Sequence, residues 1–100
     1  VLRPGRNVIG RKAQASSANF QIDTGEGRRM SREHIVIDVQ RVGSEYMHTA
    51  SLYKERVNET FVNTDRMTID DGLILKHGDI IHLPDADVKF TIDDGERTQF

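Results

Sequence analysis

Short β-branched and aromatic runs recur along the whole chain, and no stretch of 11 or more residues carries a helical apolar stripe. The runs are Asn7-Val8-Ile9, Phe20-Gln21-Ile22, residues 35–39, Phe61-Val62, Met67-Thr68-Ile69, Leu73-Ile74-Leu75, residues 79–83 and residues 88–92. Glycine and polar turn residues separate them, while proline is rare. Several alternate with period two, as half-buried antiparallel strands do. Ile35, Ile37 and Val39 would share one face, and Val88, Phe90 and Ile92 another. Residues 44–56 are the most ambiguous, but residues 46–53 also read as a strand. The expected fold is all-β, a two-sheet sandwich.

Thr68-Ile69-Asp70-Asp71-Gly72 recurs as Thr91-Ile92-Asp93-Asp94-Gly95. Asp-Gly tolerates the positive φ of tight turns, so two turns after two strands explain the repetition. The ligand spacing of a calcium loop is missing.

One hundred residues, 36% hydrophobic and 30% charged, describe one soluble globular domain with a single core. Without cysteine, disulfides and thiolate metal sites are excluded, and a cytoplasmic location is expected. No apolar run approaches the ~18 residues of a membrane span, and no signal peptide is visible. The start at Val1 rather than Met points to a processed or excised domain of something longer.

Net charge is −2, unevenly placed: residues 1–41 carry eight Lys/Arg against four Asp/Glu, and residues 42–100 six against twelve. A basic face on an acidic body suits a small, focused anion better than nucleic acid, whose binders are more often basic overall. The densest basic cluster is Arg28-Arg29-Met30-Ser31-Arg32-Glu33-His34, between Gly25-Glu26-Gly27 and the strand at 35–39. Hydroxyl and guanidinium donors anchored to a strand are suited to holding a phosphate.

Four motifs fall at the strand junctions: Ile9-Gly10-Arg11, Ser31-Arg32-Glu33-His34, Asn58-Glu59-Thr60-Phe61-Val62-Asn63, and Leu75-Lys76-His77-Gly78-Asp79-Ile80-Ile81. Written as I-G-R, S-R-x-H, N-x-T-x-V-N and L-x-x-G-D-x-I, in that order, they resemble a forkhead-associated (FHA) domain. The resemblance runs from residue 2 to about residue 92 and implies a single such domain over residues 1–100, with binding loops at one end of the sandwich. It implies a module that binds phosphothreonine peptides and mediates phosphorylation-dependent protein–protein interaction in kinase signalling. The chain departs from the family pattern twice. Only Val1 and Leu2 remain of a strand usual ahead of I-G-R, which implies a truncated first strand and an exposed sheet edge. Glu59 stands where the family often has Gly, a poor fit if the position needs positive φ.

Roles follow residue by residue. A phosphothreonine carries about −1.5 to −2 charges and three strong acceptor oxygens. By family position Arg11 binds the phosphate, two oxygens at once, with the Ser31 hydroxyl and Arg32 beside it. Asn58 would grip the ligand's main chain, as an amide both donates and accepts. Asn63 is a secondary candidate for peptide contact. Arg29 would read an acidic residue downstream of the phosphothreonine. His34 and Thr60 would brace the serine loop, Gly10 would let the backbone turn beneath Arg11, and Gly78-Asp79 would form the turn into a core strand.

Other chemistries fare worse. His77, Asp79 and His82 could be imagined as a metal set, but 77 and 82 would face opposite ways on one regular strand. His34 has no acidic partner in the motifs, so an acyl-transfer set is not supported, and no enzyme activity is expected. Gly25-Glu26-Gly27 lacks the third glycine and helix of a nucleotide loop. No cofactor, metal, nucleic acid or membrane is expected. The expected partner is a phosphothreonine-containing protein, a Ser/Thr kinase substrate, bound by a monomer. The alternative is a phospho-independent interaction or oligomerisation module on the same sandwich.

Overall fold

The computed structural model describes residues 2–54, 57–70 and 72–92. No helix forms among them. The strands are β1 (Gly5–Arg11), β2 (Phe20–Ile22), β3 (Ile35–Val42), β4 (Glu45–Leu52), β5 (Phe61–Val62), β6 (Asp65–Arg66), β7 (Leu73–Ile74), β8 (Ile80–Leu83) and β9 (Ala86–Lys89). They make a five-stranded sheet, β2-β1-β3-β4-β7, and a four-stranded sheet, β6-β5-β8-β9. The expected all-β sandwich is the fold.

Alternation decides which side chains enter the core. Ile35, Ile37 and Val39 of the central strand β3 join Ile9, Met30, Ala50, Val62, Ile81 and Phe90 in the main cluster. Val88 and Ile92 pack against the same cluster, so Val88, Phe90 and Ile92 do share a face, although β9 itself ends at Lys89. Val36 points the other way, yet it is buried with Val8 and Ala18 beneath Tyr53. Ala18, in the segment between β1 and β2, thus covers apolar surface on the outer face of β1 and β3 that would otherwise meet water.

β1 and β2 pair in parallel, with Ile9 opposite Phe20 and Arg11 opposite Ile22. A parallel pair normally needs a long crossover. Here the chain only loops back far enough to set three residue pairs side by side, so a short irregular segment suffices. The strand assigned to Met67-Thr68-Ile69 forms instead at Asp65–Arg66. Asn63 adopts φ 55° and turns the chain early, so that β5 and β6 pair at once and Ile69 falls into an exposed turn. Gly10 lies inside β1, not at a turn. Of the repeated Asp-Asp-Gly segments, Ile69 and Asp70 do lie in a turn, while Asp71 and the second copy beyond Ile92 fall outside the described residues.

Buried polar groups are few and fully used. Asn7 is 2% exposed, and its amide donates to the carbonyls of Arg3, Gly5 and Ile37 and accepts from Arg3 N. No buried side-chain nitrogen or oxygen among the described residues lacks a partner. On one side the sheets leave an apolar groove of about 320 Å³, lined by Leu2, Phe20, Ile22, Val88 and Phe90 among others.

Candidate functional site

Three segments converge at one end of the sandwich: the end of β1, the loop before β3 and the loop before β5. The backbone makes the first join. Arg11 N donates to Ser31 O at 2.9 Å, and His34 N to Ile9 O at 2.9 Å. The approach is close enough that a Cβ on Gly10 would overlap the backbone carbonyl of Arg32. Glycine at position 10 therefore serves close packing between β1 and the loop, not a turn.

The Arg11 side chain is then fixed at its root. Its Nε donates to Met30 O at 3.0 Å, and both terminal amino groups have no protein partner among the described residues. A guanidinium oriented this way presents paired N–H donors to an anion at reduced entropic cost. Met30, wholly buried, pins the loop into the core beneath it. The Ser31 hydroxyl likewise has no protein partner among the described residues, and the Arg32 side chain is exposed. Arg32 is held through its backbone: its carbonyl accepts from Ser16 Oγ at 2.8 Å. Next to it, Glu33 Oε2 accepts from Ser17 N at 2.9 Å, and that backbone bond holds the Glu33 carboxyl below its usual range.

His34 is completely buried and connects the loops. Ser31 N donates to its Nδ1 at 2.9 Å, so Nδ1 carries no proton and Nε2 does. Nε2 donates to Thr60 Oγ1 at 2.7 Å, and Thr60 Oγ1 donates onward to Asn58 O at 2.9 Å. Asn58 Nδ2 then donates to Arg29 O at 2.7 Å, two residues before Ser31. Four bonds thus close a circuit from the serine loop, through the core, to the asparagine loop and back. Burial pushes the imidazole pKa down to about 4, so the ring is neutral at ordinary pH. A neutral ring with both nitrogens committed is built for positioning rather than proton transfer.

Arg29 is not free. Its Nε and Nη2 donate to Asp85 Oδ1 at 3.1 and 2.9 Å, and its backbone N donates to Asp85 Oδ2 at 3.1 Å. Those bonds hold the Asp85 carboxyl below its usual range. Asp85 sits in the two-residue turn between β8 and β9, with φ 69° after Pro84. Gly27 makes room for it, since a Cβ there would lie 2.7 Å from Asp85 Oδ2. Asp85 does not stand out in the sequence, and Gly27 does so only as part of Gly25-Glu26-Gly27. Pro-Asp between two apolar runs signals a turn, but nothing local says that the turn reaches the basic loop.

Arg11, Arg29, Ser31, Arg32, His34, Asn58 and Thr60 are therefore brought together. Asn63 is not. It lies at the opposite end of the β5–β8 pairing from Asn58 and Asp85, where its amide donates to Asp79 Oδ1 at 3.0 Å and accepts from Ile80 N at 3.0 Å. That geometry braces a turn, in place of the peptide contact expected from the motif. Asp79 also accepts from Lys76 N at 2.8 Å, and Gly78 takes φ 92°, the turn into β8. Glu59 is not among the residues with positive φ, so the side chain is accommodated without backbone strain, and it pairs with Arg66 at 3.6 Å. His77, Asp79 and His82 have separate partners: Ile92 N, the Asn63–Lys76 turn, and Asp87. No group of metal-ligating side chains forms among the described residues.

Comparison with known proteins agrees with this fold. The family model for the FHA domain matches residues 7–84. A solved structure from a structural and functional analysis of phosphothreonine-dependent FHA domain interactions is 29% identical, with a TM-score of 0.66 over 92% of this chain and 81% of that one. The Rv0020c FHA structure is 27% identical, with a TM-score of 0.61 over 88% of this chain and 74% of that one. The MEK1 FHA domain in complex with a HOP1 phosphothreonine peptide shares 20% identity and the fold, with a TM-score of 0.72 over 94% and 86%. No curated protein matches the chain. With four ordered motifs, two packed sheets and a family match spanning most of its length, the chain belongs to the forkhead-associated domain family.

Proposed function

We propose that this domain binds a phosphothreonine-containing segment of a partner protein, a Ser/Thr kinase substrate, and so mediates phosphorylation-dependent protein–protein interaction in kinase signalling. One observation carries the reading: the Arg11 guanidinium is anchored through Nε, with both terminal amino groups unpaired among the described residues, on a strand end hydrogen-bonded to Ser31. A dianionic phosphate needs charged donors in fixed positions when no metal is present. Arg11 supplies the fork, the Ser31 hydroxyl a second contact and Arg32 a third. Asn58 retains an amide oxygen and one N–H for the ligand's main chain while its other N–H holds Arg29 O. The site makes no covalent chemistry, because its buried histidine is neutral and committed at both nitrogens.

Calorimetry with matched phosphothreonine, phosphoserine and unphosphorylated peptides tests this. The phosphothreonine peptide should bind best, and the unphosphorylated one not measurably. Phosphoserine should lose about 0.8 kcal/mol if the threonine methyl is fully buried. Arg11→Ala should cost at least ~1.5–3 kcal/mol, the range for a hydrogen bond to a charged group. Equal binding of all three peptides would favour a phospho-independent module on the same sandwich.

A further inference from the structure

Resting on the phosphopeptide reading, we propose that Asp85 is a specificity-determining residue that masks Arg29, making the domain nearly indifferent to acidic residues downstream of the phosphothreonine. Position alone would make Arg29 a receptor for such an acid. The geometry says otherwise, because Arg29 already holds a carboxylate. Both oxygens of Asp85 are engaged, Oδ1 by Nε and Nη2 of the guanidinium and Oδ2 by the backbone N–H of the same residue. The carboxylate side chain is only 18% exposed, whereas that of Arg29 is 73% exposed. The acid is thus the fixed member of the pair, set in a two-residue hairpin turn and admitted by the missing side chain of Gly27.

An incoming carboxylate must therefore compete with one tethered in place. A tethered competitor acts at high effective concentration. The pair also has no net charge, so it adds little long-range attraction of its own for an acidic residue at physiological salt. Exposed ion pairs are worth roughly 1.4- to fivefold in an equilibrium constant, and the two-donor geometry puts this one toward the upper figure. Removing the charge of Asp85 should uncover a preference of about that size.

Asp85→Asn is the suitable variant. Asparagine tolerates φ 69° as well as aspartate does, and its Oδ1 still accepts from Arg29 N. Calorimetry would use one phosphothreonine peptide with alanine at the downstream positions and a series with aspartate at each in turn. In the wild-type domain, aspartate should change affinity by less than about twofold at every position. In Asp85→Asn it should improve affinity about fivefold at one or two positions, and Arg29→Ala in that background should abolish the gain. The Arg29 Nε–H signal followed by NMR provides a second readout. It should keep its shift when an acidic peptide binds the wild-type domain, and move on binding to Asp85→Asn.

A wild-type preference above fivefold that Arg29→Ala removes, with the Nε–H signal shifting on binding, would overturn the masking. So would an Asp85→Asn profile indistinguishable from wild type. The alanine peptide separates this failure from that of the underlying reading. If it binds no better than its unphosphorylated form, the phosphate site itself is refuted and the masking falls with it.

Discussion

A missing Cβ sets how near β1 comes to the loop that carries Ser31 and Arg32. Any side chain at position 10 would overlap backbone, which cannot swing aside as a flexible side chain can. Gly10→Ala should therefore cost about 1–3 kcal/mol, as overpacking does. It should also weaken phosphopeptide binding, because the displaced segment is the one presenting Ser31 and Arg32. Thermal melts beside peptide titration check both, and a domain unchanged in either would contradict the packing role. The I-G-R motif is legible in the sequence, but the reason for its glycine is not. A strand glycine facing a carbonyl 22 residues away leaves no local trace, so a turn is the natural expectation until the packing is seen. Asn63 illustrates the converse. Its motif position resembles that of a ligand contact, yet φ 55° and two internal bonds make it a turn brace.

The two loops behave as one element because His34 and Thr60 join them through the core. This coupling has a pH signature. The folded ring has its pKa near 4, below the ordinary 6.5 of a histidine in an unfolded chain. Between those values the unfolded state binds the extra proton, so lowering the pH favours unfolding. The contribution is fully present above pH 6.5 and is lost progressively as pH falls toward 4. The loss should be on the order of 3 kcal/mol by pH 4. Denaturant unfolding at pH 7 and pH 4.5 measures it, with His34→Asn expected to lose most of that dependence. A wild-type stability flat across this window would contradict the buried neutral ring. Sequence reasoning finds the bracing pair because S-R-x-H and N-x-T occur together. The order of the bonds depends on which nitrogen faces Ser31 N, and only the three-dimensional arrangement supplies that. At this scale the alternating runs give the strands of the main core, while the parallel β1–β2 pair escapes, since its three residue pairs depend on where the intervening segment packs.

Across the whole molecule, the charge asymmetry of the sequence becomes partly self-compensating. The basic first part meets the acidic second part at Arg29–Asp85. What remains at the site is the guanidinium fork of Arg11 and the exposed side chain of Arg32, beside a hydroxyl and two loops fixed by a buried circuit. An apolar groove lies between the sheets elsewhere, lined by Leu2, Phe20, Val88 and Phe90. A phosphopeptide ligand must engage the loops and not that groove. NMR titration of the isotopically labelled domain with a phosphothreonine peptide is the most direct test. Large shifts should appear at the Arg11 side chain, the Ser31 and Arg32 amides and the Asn58 side chain, and be absent with the unphosphorylated peptide. Shifts confined to Leu2, Phe20, Val88 and Phe90, equal with and without phosphate, would contradict phosphopeptide binding at the loops.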